Sequence, residues 1–148
     1  MNNTRRRQIR NEILTLETIQ QLVEGYEGKY NGKVLSEEEV KGIKDALENV
    51  SSQFSDVSST IDDLETEERD CFDNLPEGLQ MSEKGEAMET AADNLETARD
   101  YIDDAECDTD YVISKLEDYD YESELDVDFS SISDAIDDAV DALVEAIE

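Results

Sequence analysis

Val40, Ile43, Leu47, Val50, Phe54, Val57, Ile61 and Leu64 follow one another at alternating steps of three and four. The series runs on through Glu68 to Cys71 and Leu75. An α-helix turns once in 3.6 residues, so such steps return each side chain to one face and draw a continuous apolar seam. A strand, whose side chains alternate, cannot present it. Ser36 followed by Glu39 has the form of a capping box. Pro76, the single proline, stops the run, because the residue before a proline avoids the helical region. The pattern predicts one helix over about 36–74, roughly 58 Å long at 1.5 Å per residue. Glu68 is its one polar interruption.

A seam of five heptads must be covered, and the residues after Pro76 are suited to cover it. Gly78 helps the chain reverse, and Ser82 is placed to cap a new helix. Met88, Ala91, Leu95, Ala98, Ile102 and Ala105 repeat the three–four spacing. Their alanines allow close approach, so large residues would face small ones across an antiparallel helical hairpin over 36–107. Before it, Ile9, Ile13, Leu16, Ile19 and Val23 mark a first helix, with Thr4 as its cap and Gly25 as its stop. After it, Val112, Leu116 and Tyr119 either prolong the second hairpin helix or belong to a new one capped by Asp108. Ser131 and Asp134 then cap a final helix with the stripe Ile132, Ile136, Ala139, Leu143 and Ile147.

Two stretches break the helical period. In 26–35, Asn31-Gly32 is a type I′ turn signal. In 118–129, "DYDYESELDVDF", acids hold every second position and mostly apolar residues fill the gaps, the period of a strand. A minor two- or three-stranded element joining 26–35 to 119–129 would set Lys29 and Lys33 against the acids. The expected fold is mainly α: an elongated hairpin or bundle with added N- and C-terminal helices and this minor β-hairpin. We read 1–148 as one acidic domain, with a basic-start helix (1–25), the hairpin (36–107), and an acidic tail segment with the final helix (108–148).

Charge is what the chain has in excess. It carries 42 acidic and 12 basic residues, a net −30, while Leu, Ile, Val and Phe make up just under a quarter of it. Self-repulsion of that size opposes compaction, so the core must be economical. The balance is +2 over residues 1–35, −11 over 36–85 and −21 over 86–148. Phosphates and anionic membrane surfaces would be repelled, which argues against direct nucleic-acid or membrane binding. No stretch has the length and apolarity of a membrane span or a leader's apolar core. Cys71 and Cys107 read as free thiols in a reducing cytosol, and the expected location is cytoplasmic.

Histidine is absent. Histidine-based triads, Cys–His nucleophiles and Cys₂His₂ zinc sites are therefore excluded, and two cysteines cannot complete a thiolate zinc site. "GKYNGKV" lacks Walker spacing and the Ser/Thr after Lys33. Asp126, Asp128, Ser130, Asp134 and Asp137 match the size of an EF-hand loop. Ser131 stands where that loop needs glycine, and Asp137 where it needs the longer glutamate. Carboxylate pairs are so frequent that none stands out as a general acid–base couple. The expectation is a protein that is not an enzyme, with no cofactor and no metal.

The stretch "TEERDCFDNLPEGLQMSEKGEAMETAADNLETA", residues 66–98, resembles a group of small phage and prophage proteins. They join a basic N-terminus, an acidic helix, an N-L-P-E-x-L-Q turn and a second acidic helix. Asn74, Leu75, Pro76, Glu77, Leu79 and Gln80 carry the match, and the arginines from Arg5 to Arg10 are in keeping with it. The likeness covers about a third of the chain; residues 26–60 and the tail after 108 depart from it. Such proteins are mostly without assigned function, so the resemblance implies a phage context and a helical hairpin.

Duplex DNA carries one charge per roughly 1.7 Å of axis. A rod about 55 Å long bearing −30 carries one per roughly 1.8 Å. Alternate residues of a strand at 118–129 would stand about 6.6 Å apart, near two rises of a DNA strand, about 6.8 Å. This predicts an inhibitor that mimics DNA and occupies the basic groove of a DNA-binding defence enzyme, such as a restriction or CRISPR nuclease. Its binding residues would be Asp100, Asp103, Asp104, Asp108, Asp110, Asp118, Asp120, Glu122, Glu124, Asp126 and Asp128. The alternative is a helical assembly or adaptor protein that self-associates through the seam, as a homodimer for example, with acidity serving solubility.

Overall fold

The structure, a computed structural model, describes residues 1–148. Four long helices and one short turn of helix account for the chain. They are α1 (Asn3–Tyr30), α2 (Glu37–Asp73), α3 (Glu77–Gln80), α4 (Glu83–Glu117) and α5 (Phe129–Ile147). The long helices run alternately up and down. α2 packs on α4, α4 on α5 and α5 on α1, while α1 meets α2 more lightly, which closes a four-helix bundle.

The heptad seam forms the centre of it. All eight apolar positions from Val40 to Leu64 are buried. α2 spans 37 residues, roughly 55 Å of rod. The capping box at Ser36 and Glu39 is present on both sides. Met88, Ala91, Leu95, Ala98, Ile102 and Ala105 cover the seam from α4 as the spacing predicts, and all are buried. Phe54 and Phe129 are fully enclosed. The seam that could have paired with a second copy is therefore covered within the chain.

The turn motif holds the hairpin closed. Asn74 Nδ2 donates to the Asp70 carbonyl at 2.8 Å, and Gln80 Nε2 donates to the Phe72 carbonyl at 3.2 Å. Both add a second donor to carbonyls that already accept a backbone N–H, from Asn74 and Leu75, and so tie the turn to the end of α2. At Gly85 an added Cβ would strike the carbonyl of Gln80, so the close approach of α3 to α4 requires glycine there.

Several boundaries differ from expectation. α1 runs through Gly25 to Tyr30, because Tyr26 finds Phe129 at 6.4 Å between ring centres and continues the packed face. Its cap is Asn2, whose side chain accepts from the Arg5 N–H at 2.8 Å. Asn31 (φ −67°, ψ 137°) and Gly32 (φ 79°) follow a type II turn, not type I′, closed by the Lys33 N–H on the Tyr30 carbonyl at 3.3 Å. α4 continues past Asp108 to Glu117, because Val112 and Leu116 bury on the same stripe. The hairpin thus reaches residue 117, ten beyond the expected 107. The cap of α5 is Asp128, not Ser131, since the buried Phe129 already belongs to the helix.

No strand forms. Residues 118–128 are a loop that does reach 31–35, but only two backbone hydrogen bonds join them, Gly32 to Leu125 and Leu125 to Lys33. A single paired residue is too little for a stable hairpin. The alternation is kept over its second half: Leu125, Val127 and Phe129 are buried and Glu124, Asp126 and Asp128 exposed. In its first half Tyr121 takes a left-handed φ of 62°, and the period breaks.

Candidate protein-binding surface

α4 sets the geometry of the acidic surface. Asp100, Asp104 and Asp108 lie four residues apart, so they form one row with roughly 6 Å of rise per step. Asp100 and Asp104 are exposed and Asp108 half-buried. Asp128, at the cap of α5, extends the row. Burial, then the charges of Asp104 and Asp128, pushes the Asp108 carboxyl above its ordinary range. Glu106, on the side of α4 toward Asp103 and Asp110, is pushed up in the same way, by burial first and then by those two carboxylates.

The other candidates sort by what they touch. Asp103 accepts from the Ser58 hydroxyl and Asp110 from the Ser51 hydroxyl, each at 2.8 Å across the α2–α4 interface. Asp118 is the C-cap of α4. Asp120 Oδ1 accepts from the N–H of Glu122 at 3.0 Å and from the N–H and hydroxyl of Ser123 at 2.9 and 2.8 Å. Those bonds hold its carboxyl below the ordinary range. Asp128 accepts from the Ser131 hydroxyl at 2.6 Å and N–H at 3.1 Å and is likewise lowered. Glu122, Glu124 and Asp126 are exposed and accept no hydrogen bond from the chain.

None of the eleven candidates forms an ion pair. Four of the twelve basic side chains, Arg5, Lys44, Arg69 and Arg99, are engaged elsewhere. Arg69 reaches Glu65 at 2.8 Å, Glu96 at 2.8 Å and Asp93 at 3.2 Å, and Arg99 reaches Asp62 and Glu65, which staples α2 to α4. Lys44 pairs with Glu117 at 3.1 Å. The strand-spacing match to DNA falls with the strand; the row on α4 is the regular spacing that the fold supplies.

The N-terminal arginines oppose the dipole of α1, and pairing with the acidic helices is what the sequence offers to favour them. Arg5 Nε meets the fully buried Glu68 at 3.0 Å and Arg5 Nη1 meets Glu67 at 3.6 Å, while the Met1 amine meets Glu68 at 3.1 Å. Arg6 shares a recess with Glu83, Glu86, Glu145 and Glu148. Arg5 and Arg6 are therefore folded back onto acids, while Arg7 and Arg10 remain exposed. One feature escaped the sequence, the outer face of α5: there Asp134, Asp138, Asp141 and Glu145 add four exposed carboxylates, while Asp137 turns toward α1 and accepts from Gln20. Their distance from the buried stripe of α5 was the available signal.

No three acids or cysteines converge on a point where a metal ion could be held. No helix is long and apolar enough to cross a membrane. No family model matches the chain, and no curated protein or solved structure matches it either.

Proposed function

We propose that the chain is a phage-encoded inhibitor that mimics DNA and fills the basic groove of a host DNA-binding defence enzyme. The observation that carries this reading is the set of eleven carboxylates on α4 and the 118–128 loop, none of which forms an ion pair within the fold. The row Asp100–Asp104–Asp108 repeats at roughly 6 Å, close to the two rises of a DNA strand, about 6.8 Å. A helical body keeps that spacing rigid, so little ordering entropy is lost on binding. Lysines and arginines of the partner would exchange counterions for these carboxylates as they do for phosphates. In this reading the protein works by occupancy and catalyses nothing. Assembly through the coiled-coil seam draws less support, since that seam is already buried.

Capture of partners from a bacterial lysate on the immobilised chain, at 50 and 200 mM salt, is the test. Mimicry predicts capture of basic proteins that weakens by about 10³-fold or more between the two salts, as for a protein making six or more phosphate contacts. Duplex DNA should displace them. Neutralising Asp100, Asp104 and Asp108 together to asparagine should reduce capture. Recovery of no basic protein at 50 mM salt sinks the proposal, as does capture indifferent to DNA.

A further inference from the structure

Where the end of α1 meets the start of α2, aromatic rings and carboxylates line a recess of about 390 Å³. Tyr26 and Tyr30 form one wall, their ring centres 5.8 Å apart and tilted by 52°. Both rings are half-buried. Glu38 and Glu39, exposed in the first turn of α2, form the rim. Gly42 lies one turn further on, and the buried Ile43 closes the base.

Gly42 is one of three mid-helix glycines, with Gly25 and Gly28, that the packing of the fold does not require, and it is the one that lines this recess. It sits in the interior of a long helix, where glycine weakens the helix relative to alanine. It has no positive φ, and an added Cβ would meet nothing within 4 Å. Nothing within the chain requires a bare backbone there, whereas close approach by a ligand group would. The ring wall already tolerates a cation: Lys29 Nζ stands 5.1 Å from the centre of the Tyr30 ring. The positive end of the α2 dipole works against a cation at this place, but Glu37, Glu38 and Glu39 fill that turn with negative charge.

We infer that this recess receives an arginine side chain of the partner protein, its guanidinium stacked on the Tyr26–Tyr30 wall over Gly42 and paired with Glu38. A planar guanidinium suits both surfaces at once, stacking on rings and presenting a flat fork to a carboxylate, which an ammonium does not. This deepens the proposed function and rests on its view of the partner as a basic protein. It adds a shaped contact to what is otherwise a field of charge.

N-acetyl-arginine methylamide, titrated into the full chain at 50 mM salt and followed by amide and tyrosine-ring NMR shifts, tests the recess without any partner. Saturable shifts should centre on Gly42, Tyr26 and Tyr30, and the lysine analogue should bind more weakly. Gly42→Leu fills the space at an exposed helical site, so the variant should fold and lose affinity about fivefold, the scale of one cation–π contact. Lys29→Ala removes a competing charge and should raise affinity about twofold, which no disruption of the fold would produce. Shifts spread evenly over the acids, or affinity unchanged in Gly42→Leu, would overturn the inference. If the arginine probe binds but the lysate gives no DNA-displaced partner, the recess stands and mimicry falls. If Gly42→Leu captures a DNA-displaced partner at full strength, mimicry stands and the recess falls.

Discussion

Replacing Glu68 by leucine opposes two physical arguments. Glu68 interrupts an otherwise apolar seam, and leucine would continue the heptads. It would also remove one negative charge from a chain at −30. Both considerations predict a more stable protein. The geometry predicts the reverse. The Glu68 side chain is fully buried, and its partners, the Met1 amine and the Arg5 side chain, are only 2% and 11% exposed. Burial by itself lowers the Arg5 pKa; the Glu68 charge, with Cys71, more than offsets this and leaves the guanidinium raised. Removing one partner of a buried pair strands the other and costs about 3–5 kcal/mol. Glu67, 3.6 Å from Arg5, can take up part of the stranded charge, so the low end applies, about 3 kcal/mol. For a domain of this size that is a fall in Tm of about 6–12 °C.

Urea unfolding followed by helical circular dichroism measures the effect as a lower midpoint at unchanged slope. Glu67→Leu serves as the control; its glutamate is 57% exposed, and it should stay within about 0.5 kcal/mol of the parent. The double variant Arg5→Leu/Glu68→Leu removes both charges of the side-chain pair. It should recover only part of the loss: Arg5 is no longer stranded, but the buried Met1 amine still lacks its carboxylate. A Glu68→Leu protein as stable as the parent would refute the reasoning and make Glu68 a tolerated flaw in the seam.

Three further outcomes are expected. Lowering the pH from 7 toward about 4.5 should raise Tm: Glu12 (by burial, then Asp56), Glu106 and Asp108 have raised carboxyl pKa values in the fold, so the folded state binds protons first and gains stability as they protonate. Below about pH 3.9 the sign reverses, since Asp120 and Asp128 are lowered and their stabilisation disappears on protonation; a steady decline in Tm from pH 7 downward contradicts this. Asp128→Ala removes the N-cap of α5 and should cost about 1 kcal/mol in urea unfolding, and no loss would show that the cap is idle. Asp108→Asn should leave stability equal or higher while weakening capture of a basic partner, and a loss of stability would mean that its charge serves the fold.

What the sequence disclosed followed from how strongly each pattern was repeated. The α2 seam repeats eight times, and its helix was placed to within a residue at each end. Its partner on α4 was legible through Ala91, Ala98 and Ala105. The end of that partner was not, because Asp108, half-buried in mid-helix, has the chemistry of a cap. Gly25 was misread for a similar reason: glycine often ends helices, but the Tyr26–Phe129 contact carries α1 past it. The ion pairs of Arg5 join residues more than sixty apart, and no local pattern reports a partner at that distance. The alternating stretch set a true face pattern for Leu125, Val127 and Phe129 without a strand, since period two needs only an extended chain docked on one side.

The acidic surface can be divided by asking which carboxylates the fold uses. Asp103 and Asp110 accept from serines across α2 and α4, and Glu24 and Glu27 accept from Ser133 and Ser130 across α1 and α5. In a chain short of cations, hydroxyls take over part of the pairing that lysines would otherwise supply. Asp120 pins the loop and Asp128 caps α5. These acids are explained without a partner. Asp118 is different: it caps the C-terminal end of α4, where the helix dipole disfavours an anion. Asp108 is different as well, because its burial beside Asp104 and Asp128 opposes its own ionisation. Glu122, Glu124 and Asp126 accept nothing from the chain. A residue retained against the interest of the fold points more strongly to a binding role than one the fold employs. If the proposed function holds, its partner surface centres on Asp100, Asp104, Asp108, Asp118, Glu122, Glu124 and Asp126, a narrower set than the eleven that charge alone selects.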